Sequence, residues 1–153
     1  MKKTEYFRWI AAAEATGLLA GFLTREGMAY YEMNMLKPPL TPPGWVFAAV
    51  WIVLYALMGI GAARIAASPE SPARALNVFV IQLALNFYWS LIFFNAQAYG
   101  FALIWLLLLW VFIILMILAF SRVDRTAALL QIPYLLWVTF AAYLNYGVWQ
   151  LNR

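Results

Sequence analysis

The chain has 153 residues, 67% hydrophobic and 10% charged, with a net charge of +4; these proportions lie outside the soluble globular range. It has neither cysteine nor histidine, which excludes disulfides and thiolate chemistry and removes the commonest general base, metal ligand and haem axial ligand. The positive charges are scattered over ends and loops without a basic run, so nucleic acid is not an expected partner, and with neither thiolate nor imidazole no metal site is expected.

Residues 75–121 form a run of 47 without a single charge. That is long enough for two membrane-spanning helices of about 20 residues each and the turn between them. The lipid bilayer is therefore the first partner, and one all-α membrane domain over 1–153 is expected, a bundle of five helices with a long first loop acting as a lid. The spans are read at about 6–23, 45–64, 73–95, 101–121 and 126–150, with the lid loop at 25–43.

In the first span, Lys2 and Lys3 before an apolar stretch resemble a signal peptide. Arg8 and Glu14 interrupt that stretch, so the segment is read as a retained helix. Ala13, Gly17 and Gly21 recur every four residues and let two backbones approach closely, within the bundle or between copies. Glu14 lies near mid-span, where a carboxylate costs about 2.5–3.5 kcal/mol on insertion scales. It is either a ligand or proton group, or a hydrogen-bonded acid joining two helices.

The connection at 25–43 carries Tyr30, Tyr31, Met33, Met35, Leu36, Lys37 and Pro38. It is either a lid packed on the bundle mouth or a short interfacial helix without a ligand role. Thr41-Pro42-Pro43-Gly44 then starts the second span, with Thr41 as cap and Pro42 in the first turn. Trp51, Tyr55 and Met58 follow at i, i+4, i+7, and Gly59, Ala62, Ala63 and Ala66 offer close contacts.

Ser71-Pro72 opens the third span, where Gln82, Asn86, Trp89, Ser90 and Phe93 make one stripe. Residues 95–100 turn the chain into the fourth span. Asp124 can cap the fifth, in which Trp137, Phe140, Ala141, Leu144 and Asn145 make a second stripe. Pro133 should kink or loosen that helix near Leu129 and open space between helices.

The amides on these stripes allow two readings. They are interhelical hydrogen bonds, averaging roughly 0.6 kcal/mol each, or the few polar groups that orient a ligand in an aromatic cavity. The loop charges place the N-terminus inside and the C-terminus outside: Lys2, Lys3, Arg8, Arg64, Arg74, Arg122 and Arg125 against Arg25, Lys37 and Arg153.

Taken in order, the sequence resembles the TspO/MBR family of tryptophan-rich sensory proteins, translocator proteins and peripheral benzodiazepine receptors. The resemblance runs over nearly the whole chain. It is carried by Lys37-Pro38, Pro42-Pro43, Trp45, Phe47, Trp51, Leu54-Tyr55 and Met58-Gly59. It continues through Gln82-Leu83, Asn86, Trp89-Ser90, Phe93-Phe94, Pro133-Tyr134, Trp137, Phe140-Ala141, Leu144-Asn145-Tyr146 and Trp149.

The resemblance implies a five-helix bundle with a pocket under the first loop. It implies porphyrins such as protoporphyrin IX and haem as ligands, with sterols and synthetic carboxamides beside them, no obligatory cofactor, and a homodimer. Light-dependent porphyrin degradation in some members implies roles for Trp51 and Trp137, and a position of altered ligand affinity falls on Ala141. The stretch Tyr30-Tyr31-Glu32 departs from the family's usual Trp-Tyr. Six residues separate Tyr146 from Arg153, so the short sterol-recognition pattern fails here.

Three functions follow in order: a receptor, sensor or carrier for tetrapyrroles; a light- and oxygen-dependent porphyrin-degrading enzyme; a structural or regulatory membrane subunit. A bacterial cytoplasmic membrane is the expected location, or the mitochondrial outer membrane in a eukaryote.

Overall fold

The structure, a computed structural model, describes residues 3–70 and 72–153. Lys2, counted toward orientation, and Ser71, expected to cap the third span, lie outside them. The described residues form helices α1 (Lys3–Leu23), α2 (Arg25–Asn34), α3 (Gly44–Ala66), α4 (Ala73–Ser90), α5 (Tyr99–Ser121), α6 (Arg125–Leu129) and α7 (Ile132–Leu151). A π-helical turn, Leu91–Asn95, extends α4.

Among the described residues, four segments are long and apolar enough to cross a membrane: Gly44–Ala66, Ala73–Asn95, Tyr99–Ser121 and Arg125–Leu151. Their outer faces carry exposed residues such as Val53, Ile104, Leu118 and Leu136, as lipid requires. The chain is an integral membrane protein. α1 has the length of a span, but Lys3, Glu5, Arg8 and Glu14 lower its hydropathy.

α1 packs along α3, while α5 packs against α4, α6 and α7. Glycines set the first contact. A Cβ on Gly59 would run into the α1 backbone at Trp9 and Ile10, and one on Gly17 into the ring of Tyr55. Both serve packing within the bundle.

Two local expectations are corrected. Thr41 does not cap α3: its hydroxyl donates to the Pro38 carbonyl at 2.6 Å. Pro43 occupies the cap position in extended conformation, because each proline ring pushes the residue before it out of the helical region. The first connection is not all loop, since ten of its residues form α2; they hold no proline and several good helix formers.

Pro133 loosens its helix at the expected place, near Leu129. α6 stops at Leu129, and Pro133 stands in the first turn of α7, where its missing N–H costs nothing. Asp124 caps α6 as expected, accepting from the N–H groups of Thr126 and Ala127 at 2.9 and 3.4 Å.

Candidate ligand-binding cavity

Between α1, α2, α3, α4 and α7 lies a cavity of about 500 Å³, within the range usual for small-molecule sites. α3 and α7 meet across it through rings, not backbones. Phe47 and Trp137 lie 5.6 Å apart, Trp51 and Tyr134 6.2 Å.

Each wall is a helical stripe. α3 supplies Gly44, Phe47, Ala48, Trp51, Ile52 and Tyr55; α4 and its π turn supply Asn86, Trp89, Ser90, Phe93 and Phe94. α7 supplies Trp137, Ala141, Leu144 and Asn145. The π turn shifts the register so that Phe93 and Phe94 both meet Tyr31 of α2, at 5.5 and 5.4 Å. Trp89 stacks on Phe93 at 5.1 Å.

Two expected site residues are elsewhere. Gln82 is fully buried behind the wall, and Phe140 lines a separate outer groove with Pro133 and Leu136. Trp137 borders both spaces.

The amides sit in interhelical networks. Tyr55 donates to Asn86 Oδ1 at 2.6 Å, Asn86 Nδ2 donates to the Tyr134 hydroxyl at 2.8 Å, and Tyr134 donates to Gln82 Oε1 at 2.7 Å. Trp89 Nε1 donates to Asn145 Oδ1 at 3.1 Å, and Asn145 Nδ2 donates to the Tyr99 carbonyl at 2.8 Å. The Ser90 hydroxyl donates to the Phe87 carbonyl at 2.8 Å. The indole N–H of Trp137 is buried and, among the described residues, has no acceptor.

Part of the first connection, Met28, Tyr31 and Glu32 on α2, contributes to the cavity wall. Tyr31 is buried and lines the cavity, whereas Tyr30 is exposed outside it. Burial, then the charge of Glu32 and the Tyr99 hydroxyl, push the Tyr31 phenol up to about 12, so it stays protonated at neutral pH.

Residues 35–43 form a strap fastened to α7. Asn152 brackets Leu36, accepting from its N–H at 3.0 Å and donating to its carbonyl at 2.8 Å. Tyr143 donates to the Pro39 carbonyl at 2.8 Å. Pro38 is buried against Gly147, and Leu40 turns with a positive φ of 72°. Lys37 Nζ donates to the Glu32 and Met35 carbonyls at 3.0 and 3.3 Å and lies 4.9 Å from the Tyr31 ring centroid. Pro42 and Pro43 lead into α3 without lining the cavity.

The TspO/MBR family profile matches residues 9–150. The chain belongs to the TspO/MBR family. It is 40% identical to the tryptophan-rich protein TspO of Chlorobaculum tepidum, covering 90% of this chain and 89% of that one. It is 38% identical to the tryptophan-rich sensory protein of Cereibacter sphaeroides, over 96% and 90% of the two chains. It is 38% identical to the translocator protein of Bos taurus, over 95% and 92%.

Glu14, read from sequence as either a ligand or proton group or a structural acid, lines the cavity. Several other lining residues were not among those expected: Gly17, Leu18 and Gly21 face the cavity from α1, and Met28 and Glu32 face it from α2. The α1 set follows the i, i+3, i+4, i+7 spacing used on the other helices, so the same periodicity finds it. Gly21 has open space where a Cβ would stand.

Proposed function

We propose that this TspO/MBR-family protein is a receptor, sensor or carrier that holds a porphyrin, protoporphyrin IX or haem, or a related hydrophobic molecule in the cavity between its helices. One observation carries the reading: an aromatic-walled cavity of about 500 Å³ lies between the helices, with Met28, Tyr31 and Glu32 of α2 in its wall. The indoles of Trp51 and Trp137 suit a flat macrocycle by stacking and area burial. In this reading the ring lies among Trp51, Tyr55, Trp89, Phe93, Trp137, Ala141 and Leu144. Asn86, Ser90 and Asn145 hold those walls in register, Gln82 supports them from behind, and Phe140 backs Trp137 at 5.6 Å.

α1 acts as the fifth span, since its packing along α3 keeps it in the same layer. α2 and the strap are the lid. Arg8, Arg64, Arg74, Arg122 and Arg125 gather at one end of the bundle, which supports an N-inside topology. The assembly is a homodimer with no obligatory cofactor, in a bacterial cytoplasmic membrane.

The test is titration of protoporphyrin IX into the folded protein in bilayers, following tryptophan emission. Saturable quenching is expected, weakened when Trp51 and Trp137 are both phenylalanine. Unchanged emission at saturating porphyrin overturns the reading.

A second reading is light- and oxygen-dependent porphyrin degradation. It is favoured by the two oxidisable indoles, Trp51 and Trp137, on one cavity. Equal bleaching rates in the wild type and in a Trp51→Phe, Trp137→Phe double variant would remove it.

A further inference from the structure

At the α2 end of the cavity the helices are joined unequally. Toward α4, a Cβ on Gly27 of α2 would strike the Phe94 carbonyl and the Asn95 side chain, and Asn95 Nδ2 donates to the Leu23 carbonyl at 2.9 Å. Toward α7, Asn152 and Tyr143 hold the strap by three hydrogen bonds, and Pro38 lies against Gly147.

Between α1 and α3 the join changes along its length. Far from α2, Gly59 meets the α1 backbone and Gly17 meets the Tyr55 ring. Nearer α2, no hydrogen bond among the described residues joins the two helices, and nothing lies within 4 Å of where a Cβ on Gly21 would stand. Leu18 and Phe22 follow one another by one turn on α1, as Ala48 and Ile52 do on α3, and all four line the cavity. All four are also exposed on the outer surface, Leu18 by 72% and Ile52 by 58%. The same side chains therefore face both the cavity and the lipid. Exposed side chains change rotamer within nanoseconds, so the slot they frame opens without breaking a bond between α1 and α3. Lifting the strap breaks its three bonds to α7; a strap loosened by substitution would add a second way out.

A cation stands at the rim of this slot. Arg25 is exposed, donates to the Phe22 carbonyl at 2.6 Å and holds its guanidinium 4.2 Å from the centroid of the Phe22 ring. Among the described residues it forms no ion pair, not even with its neighbour Glu26. The acidic residues of the cavity wall, Glu14 and Glu32, are not among the four that frame the slot. Lys37 is engaged by two backbone carbonyls.

We propose that ligand enters and leaves the cavity sideways, from the leaflet at the α2 end, through the slot framed by Leu18, Phe22, Ala48 and Ile52. Arg25 holds an acidic arm of the ligand at the rim while the apolar ring passes inward. The inference rests on the cavity being the ligand site. The path suits an amphiphile whose ring lies among acyl chains and whose carboxylates stay at headgroup level, since charge is costly deeper in the bilayer.

The chain has no cysteine, so Leu18→Cys, Ile52→Cys places two unique thiols on opposite sides of the slot. A reducible bis-maleimide bridges them in nanodiscs, and protoporphyrin IX binding is followed by stopped-flow tryptophan quenching before and after the linker is reduced. The bridge is expected to slow association and release alike, by about tenfold or more, within the span of rate changes seen at one site. Affinity should stay the same, and reduction should restore both rates. Arg25→Gln is expected to slow association of the diacid about threefold, the effect of one exposed charge contact, and to leave the neutral dimethyl ester unchanged.

Equal rates in the bridged and reduced samples overturn the slot. An equal effect of Arg25→Gln on diacid and ester overturns the role of Arg25. If the double cysteine variant does not fold, wild-type kinetics decide. Association set by porphyrin per lipid supports entry from the bilayer, and association that follows aqueous porphyrin at constant porphyrin per lipid overturns it. Absence of saturable quenching in the wild type is a separate failure, that of the cavity as a ligand site.

Discussion

Two glycines separated by function should respond to the same substitution with opposite sign. A Cβ at Gly59 meets Cα and N of Ile10 and the Trp9 carbonyl, all backbone atoms of α1. A side chain could swing aside there, but a helix backbone must move as a whole. Overpacking of this kind costs typically 1–3 kcal/mol, against about 1 kcal/mol gained in helix propensity on replacing glycine by alanine. Gly59→Ala is therefore expected to destabilise the bundle by up to about 2 kcal/mol. At Gly21 nothing lies within 4 Å of the added atom, so Gly21→Ala keeps only the propensity gain, up to about 1 kcal/mol. Thermal unfolding in nanodiscs, followed by the near-ultraviolet signal of the tryptophans, measures both. Gly21→Leu extends the argument to function: it should unfold like Gly21→Ala and yet lose ligand, because its side chain enters the cavity. If Gly59→Ala proved as stable as Gly21→Ala, the close α1–α3 contact, and the cavity wall built on it, would be wrong.

Asn86→Leu leaves the Tyr55 hydroxyl without its acceptor, so it should cost about 1–3 kcal/mol; the double variant Tyr55→Phe, Asn86→Leu should cost less than the two single losses added, and strict additivity would mean that the 2.6 Å bond is not formed. Gly147→Leu drives a side chain against the rigid ring of Pro38; faster proteolysis between residues 35 and 43 and faster ligand release are expected at little change in melting temperature, and an unchanged cleavage rate would show that the strap is not held there. The Asp124 carboxyl is raised by burial but lowered more by the Arg64 side-chain hydrogen bond and the Ala127 and Thr126 amides, and its net position is below the ordinary value. Its contribution is therefore complete above the unfolded-state value and lost as pH falls through the lower folded one. Unfolding scans should show an acid-dependent loss that Asp124→Asn largely removes and that neutral pH does not reveal, whereas identical acid profiles would exclude the residue.

The fold was legible wherever one physical rule acted alone. Uncharged runs of sufficient length marked α4 and α5, and Asp124 marked the start of α6, because bilayer thickness and cap chemistry are local constraints. Thr41 misled because two successive prolines override a capping hydroxyl, and that conflict depends on ψ angles that composition does not display. The site was legible as stripes: Trp51 and Tyr55 on α3, Asn86, Trp89 and Phe93 on α4, Trp137, Ala141 and Leu144 on α7. The direction in which a stripe faces is a tertiary property. Gln82 and Asn86 lie four residues apart on one face, yet Asn86 touches the cavity and Gln82 ends in the network behind it. Phe140 follows Trp137 by three residues, and that rotation is enough to carry it to the outer groove. The α1 stripe was visible as small residues, but small residues serve equally to close a contact, as Gly17 does, or to leave room, as Gly21 does.

An aromatic space of this size costs the bundle contacts that a collapsed core would make, so something must hold α3 and α7 apart. At the lower end the chain Tyr55–Asn86–Tyr134–Gln82 fixes α3, α4 and α7 by directional bonds with short tolerances, which sliding helices would break. Along the side, Gly17 and Gly59 clamp α1 to α3, so α3 cannot lean toward α7 without dragging α1 with it. At the upper end the strap is tied to α7 by Tyr143, Gly147 and Asn152, and its α2 end meets the π turn of α4 through Tyr31. Each fastening removes one way of closing the space. The amides that sequence alone leaves ambiguous between structure and ligand therefore hold the walls: they tie together the helices that carry Trp51 and Trp137 and so keep the space between them open.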